Sequence, residues 1–224
     1  MPAVTLATFR ERVLQAVDAE GSSFVETPEL NRFVNGSLDA LYDKLVAVWE
    51  DYYARDVSVS LTGASHSLPA DFYKLLGIDV QVSSTQWLAL VECPWAERNR
   101  WRSATGMRPE DVRYMLRGQA LQFLPGFGTP MPAVLSYIPL RTQLVADTDA
   151  ADFPQSWEEW AVVHAGLKFL SKAERDTTGL AQRLALEDQR INALAPKRKP
   201  GEVERVADVD FPDDFRYPRP WSRR

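Results

Sequence analysis

Apolar residues recur at three- and four-residue intervals at the start of the chain. Leu6, Phe9, Val13, Leu14 and Val17 predict a helix over 5–19, with Thr5 as its N-cap. The stretch "EGSSFVE" interrupts it, and Thr27-Pro28 opens a second helix with proline in the first turn. Leu30, Val34, Leu38, Leu41, Leu45 and Trp49 then form one stripe, predicting a helix to about Tyr53. Asn31, Asn35, Asp39 and Asp43 form its polar flank. A stripe of this length needs partners to cover it.

From 57 to 140 the period changes. "VSVSL" alternates, and Ile78–Val82, "WLALV" and "AVLSYIPL" look like strands, as do two halves of "YMLRGQALQFLP" joined near Arg117-Gly118. Between the first two lies "LPADFYKLLG". Pro69 suits a helix start, Phe72, Leu75 and Leu76 share a helical face, and Gly77 suits its end, so 70–76 is expected to be a short helix. Residues 94–105 are expected to form another. Prolines 109, 125, 130, 132 and 139 are expected to cut the strands into short pieces of a small antiparallel sheet, sandwich or open barrel.

Helical spacing returns in "DFPQSWEEWAVVHAGLKFLSKAERD", where Glu158-Glu159 suits a first turn favoured by the helix dipole. Thr177 or Thr178 is expected to cap a last helix with the stripe Leu180, Leu184, Ile191 and Leu194, ended by Pro196. The predicted class is α+β: a helical bundle (1–56 and 151–195) with an inserted small antiparallel β domain (57–150) and an extended C-terminal arm (196–224). The arm has no helical period and carries Phe211, Phe215, Tyr217 and Trp221 among prolines. Too little apolar surface is gathered there to offset ordering on its own. It is either a flexible end or a strap that orders on another subunit, with Arg219, Arg223 and Arg224 pairing with carboxylates.

Composition narrows the function classes. Of 224 residues, 45% are hydrophobic and 25% charged, as in ordinary globular proteins. The net charge of −5 argues against a general nucleic-acid binder. The arm holds eight Lys or Arg and six Asp or Glu, a balance of +2, which leaves −7 for the remainder. Cys93 is the lone cysteine, which excludes an intrachain disulfide and a cysteine metal cluster. "MPAVTLATFRERV" lacks the layout of a signal peptide, and no window approaches the roughly 20 apolar residues of a membrane span. A soluble protein made in the cytoplasm is expected.

Catalytic chemistry finds no support. The two histidines, His66 and His164, are far apart, and there is no phosphate-binding loop. Cys93 with His164 has nothing to orient it as a nucleophile–base pair. His164 lies on an apolar helix face and is expected to be a hydrogen-bonded core or interface residue. No catalytic residue, metal or cofactor is expected, and a small intracellular enzyme is the weakest of the readings. The one mixed basic and aromatic cluster is Trp95, Arg98, Arg100, Trp101, Arg102 and Arg108. It suits contact with DNA phosphates, contact with an acidic partner surface, or a solvated face.

In order along the chain, "LNRFVNGSLDALYDKL", "LPADFYKLLGIDV", "YMLRGQALQFLP", "LSYIPL" and "DFPQSWEEWAVVHAGLKFLSKAERD" resemble the head-to-tail connector, or adaptor, proteins of tailed bacteriophages. The resemblance covers about residue 25 to 224. It implies a virion protein of the head–tail neck, not an enzyme, forming a dodecameric ring beneath the portal. Such a ring extends the DNA channel and offers a surface to tail or nozzle proteins, with DNA passing through without sequence-specific binding. The resemblance also implies that the arm docks on the portal, with Phe211, Phe215, Arg216, Tyr217, Arg219, Trp221, Arg223 and Arg224 as its contacts. A tail-side neck or tail completion protein is the alternative. No membrane partner is expected.

Overall fold

The computed structural model describes residues 4–102, 108, 111–153 and 157–195. The chain is α+β, with five helices and a six-stranded mixed sheet among these residues. Helix α1 (Leu6–Ala16) starts where the Thr5 hydroxyl accepts from Thr8 N, and buries Leu6, Phe9 and Val13. Helix α2 (Thr27–Val48) has Pro28 in its first turn and buries the whole expected stripe through Leu45. It stops at Val48, and Glu50–Tyr53 form a 3-10 turn. The aromatic residues explain the early stop. A continuous helix would hold Tyr42 and Tyr53 about 16 Å apart along its axis. The break instead brings their rings to 4.6 Å and lets the Tyr53 hydroxyl donate to Asp152 O.

Strands β1 (Arg55–Ser67), β2 (Phe72–Gln81), β3 (Trp87–Ala89) and β4 (Val91–Glu92) follow. A 3-10 turn (Trp95–Glu97), a short helix α3 (Arg98–Arg102), and strands β5 (Arg113–Arg117) and β6 (Ala120–Pro139) complete the middle of the chain. The path is β3-β2-β6-β5-β4, with β1 on the other edge of β6. All pairs are antiparallel except β4 with β5, so the expected antiparallel sheet is mixed.

The expected helix over 70–76 is strand β2, entered through a turn in which Phe72 N donates to Pro69 O. Its pairing with β6 shifts register twice, between Phe72 and Lys74 and between Leu75 and Gly77. Each shift displaces the inward positions, so an irregular strand imitates helical spacing. "WLALV" divides into β3 and β4 around buried Leu90.

Nor do the prolines cut β6, a single strand of 20 residues. Its ladder with β1 jumps from Met131 to Phe127 and from Phe127 to Gln122. Pro125 and Pro130 fall in these gaps, where a missing N–H breaks no β1 rung. At the second gap the backbones nearly touch: a Cβ on Gly126 would lie 2.8 Å from Gly63 O.

Helices α4 (Glu158–Lys172) and α5 (Thr178–Leu194) return to the helical core, α4 packing against α1, α2 and α5. The carboxylate before α5, Asp176, accepts from Thr178 N, so neither threonine side chain supplies the cap. Of the α5 stripe only Ile191 is fully buried. Leu180 and Leu184 are half-buried, and Leu194 is exposed.

The polar flank of α2 is the seam that fixes the sheet and its exit loop to the helices. Asn31 accepts from Arg10, and Asn35 both donates to Leu144 O and accepts from Leu144 N. Asp39 accepts from Arg141 and Gln143, and Asp43 accepts from Tyr73. Ile138, at the end of β6, joins the helical core, while the sheet keeps its own core around Leu61, Ile78, Val80, Phe123 and Leu135.

Candidate interaction site

Four residues of the mixed basic and aromatic cluster, Trp95, Arg98, Arg100 and Trp101, come together at the end of the sheet far from the helices. The 3-10 turn and α3 lie over one face of the β5–β6 pair. Trp101 packs on buried Cys93, Met115 and Leu124 and donates its indole N–H to Glu97. Residues 113, 115 and 117 share that face of β5. Arg113 is therefore brought over Trp101, at 4.8 Å from the ring centre, with Arg100 at 5.6 Å. Trp95, 58% exposed, is flanked by Arg98 at 4.4 Å and Arg117 at 5.7 Å. Arg98 also donates to Trp95 O, and Arg117 to Gln122. Each contact of this kind contributes about 0.5–1 kcal/mol at an exposed site.

Not all the expected residues join the stacks. Arg102 points to an open cleft of about 400 Å³ with Ser65, Gln122, Leu124 and Pro125. Arg108 is exposed, its carbonyl accepting from Asp111 N as the chain turns toward β5. The sequence reading missed Arg113 and Arg117. The signal was the alternation Arg113-x-Met115-x-Arg117, two cations spaced around an apolar residue on one strand face. The arm residues Phe211, Phe215, Arg216, Tyr217, Arg219, Trp221, Arg223 and Arg224 lie outside the described residues.

Burial and Glu97 push the Cys93 thiol up, with Arg113 opposing, so the weakly nucleophilic protonated form is held. Cys93 sits in the small core under α3, whereas His164 lies on α4 against Trp160, with ring centres 4.8 Å apart. Burial and Lys168 push the His164 imidazole down, and Asp188 opposes. Its Nδ1 is buried without a hydrogen-bond partner among the described residues, against the expectation of a hydrogen-bonded histidine. Among those residues no cluster of three or more His, Cys, Asp or Glu side chains could hold a metal ion. No helix among them is long and apolar enough to cross a membrane.

The described residues thus combine a helical core, a mixed sheet and an exposed basic-aromatic tip. A family profile described as SU10 adaptor protein matches residues 4–217, and the chain belongs to that family, a family of phage structural adaptors. No curated protein matches the chain.

Proposed function

We propose that the chain is a head-to-tail adaptor that assembles as a ring beneath the portal of the phage capsid and presents the attachment surface for the tail. In this reading 1–56 and 151–195 form the bundle that builds the ring, 57–150 is the inserted β unit, and 196–224 is the portal-docking arm. The adaptor is not an enzyme. The family match over residues 4–217 is the observation that carries this reading. Closing a ring requires two different patches on each copy to meet. The helical layer and the sheet tip offer surfaces of different character. The net charge of −5 suits a channel through which DNA slides, since tight phosphate contacts would hold it.

Phe211, Phe215, Tyr217 and Trp221 act as anchors in portal grooves, and Arg216, Arg219, Arg223 and Arg224 pair with carboxylates there. Large aromatics and arginine are the residue types that dominate such contacts. Deletion of 197–224 is expected to abolish capture of the chain by the phage's portal ring in a pull-down. Unchanged capture would overturn the arm's role. Capture by tail proteins alone would overturn the portal assignment.

A further inference from the structure

Among the described residues β1 pairs with β6 alone, so its outer edge carries an unmatched row of N–H and C=O groups. Edge strands are ordinarily kept short or guarded by charge or proline. At the ends of the sheet path, β3 and β4 have three and two residues. β1 has 13, and its run "VSVSLTGAS", residues 57–65, holds no charge and no proline. Val57, Val59 and Leu61 share one face of it. Leu61 is fully buried in the sheet core, Val59 is half-buried against it, and Val57 is 36% exposed. The sheet core is therefore left partly uncovered along this edge.

The chain carries a segment with the pattern of the missing strand. The longest stretch of the arm without proline or glycine is "EVERVADVDF", residues 202–211. When extended, it puts Val203, Arg205, Ala207 and Val209 on one side and Glu204, Val206 and Asp208 on the other. Apart from Arg205 and Val206, these are an apolar side and an acidic side, as in a half-buried strand.

The helices deliver this segment to the start of β1. Lys172, at the end of α4, pairs with Glu29 at the start of α2. Asp188 of α5 binds Lys44, near the end of α2, and the indole of Trp160, near the start of α4. Helix α5 therefore runs toward the end of the helical core where α2 stops and Glu50–Tyr53 lead into β1. Ala195 lies about 10 Å beyond Asp188 in that direction and is buried in the helical core. Residues 196–202 add a reach of up to about 25 Å.

We propose that residues 203–209 add as a strand to the outer edge of β1 in the same chain, alongside Arg55–Leu61, with their apolar side over Val57 and Val59. This extends the reading of 196–224 as an arm, and it leaves Phe211 onward for the portal. The tether favours the chain's own arm over any free strand, because it holds the segment beside the edge at high effective concentration. A second copy's β1 fits less well, since antiparallel pairing of two such edges makes a closed two-fold contact that does not continue into a ring.

The test is hydrogen exchange read by mass spectrometry on the full chain, at a concentration where its mass is that of a monomer. Amides of 203–209 are expected to exchange at least tenfold more slowly than in a free peptide of residues 200–212. Deletion of 197–224 is expected to speed exchange in 57–61 at least tenfold. Val206→Pro with Ala207→Pro should do the same, because successive N–H groups point to opposite sides and one of the two faces β1 in any register. Free-peptide rates at 203–209, with exchange in 57–61 unchanged by the deletion, overturn the proposal. Ser60→Cys is then combined with Glu204→Cys, Val206→Cys or Asp208→Cys, the native Cys93 being buried. At least one pair is expected to close within a monomer under mild oxidation. Closure of none, or cross-links only between two chains, overturns the proposal. Portal capture by the double proline variant and by wild type is measured separately. Protection without portal capture rejects only the portal role, and capture without protection rejects this inference alone.

Discussion

The helical core and the sheet tip spend their charged residues differently. In the core, Glu159 on α4 accepts from Arg12 of α1 and Arg183 of α5, and Asp188 of α5 accepts from Lys44 and from the Trp160 indole. Charge there fixes helices to one another. At the tip, Arg98, Arg100, Arg113 and Arg117 lie on tryptophan faces. The first arrangement joins elements of the fold, whereas the second leaves its cations on a largely exposed surface. Surface ion pairs contribute only about 0–1 kcal/mol each, so the core's stability comes from its buried stripe and its pairs mainly set register.

The largest contrast should appear on truncating leucines. Leu38→Ala, at a fully buried site, is expected to cost about 3–5 kcal/mol in urea unfolding. Leu116→Ala, 43% exposed on β5, is expected to cost less than about 1 kcal/mol. Next is the seam: Arg141→Met removes bonds to Asp39, to Asn35 and to Thr142 O from a side chain only 9% exposed, and should cost about 2–3 kcal/mol. Within the tip itself, Trp101→Ala should destabilise by about 2 kcal/mol because it uncovers Cys93, Met115 and Leu124. Trp95→Ala, at a 58% exposed site, should stay under about 1 kcal/mol. Equal costs for the two tryptophans would erase the distinction between a packed and a presented indole.

The smallest effect is a pH dependence. Burial, then Lys168, lowers the His164 pKa in the folded chain, so the unfolded chain takes up the proton first as pH falls. Stability is then fully present above the ordinary value near 6.5 and declines as pH drops through it toward the lowered one. His164→Gln should flatten that decline in melts between pH 7 and 5. An unchanged slope would assign it to other groups.

Much of the helical part was legible in the sequence because each signal was local: the Thr5 cap, Pro28 in the first turn, and the stripe from Leu30 to Leu45. The sheet was harder to read because its pattern depends on pairing. Two register shifts made Phe72, Leu75 and Leu76 imitate a helix face, and gaps in the β1 ladder concealed that Pro125 and Pro130 sit within one strand. The site divides in the same way. Trp95, Arg98, Arg100 and Trp101 are neighbours in sequence and could be grouped by eye, although Arg102 turns away into its cleft. Arg113 and Arg117 reach the indoles because the Trp95–Glu97 turn and α3 fold onto the β5–β6 pair, a contact between separated segments that no local spacing announces.

The most direct test of the adaptor reading is native mass spectrometry of the full chain, alone and mixed with the portal ring of its phage. The account predicts that copies accumulate on the portal to a closed ring, and that deleting 197–224 prevents this. A chain that stays monomeric beside an intact portal ring would contradict it.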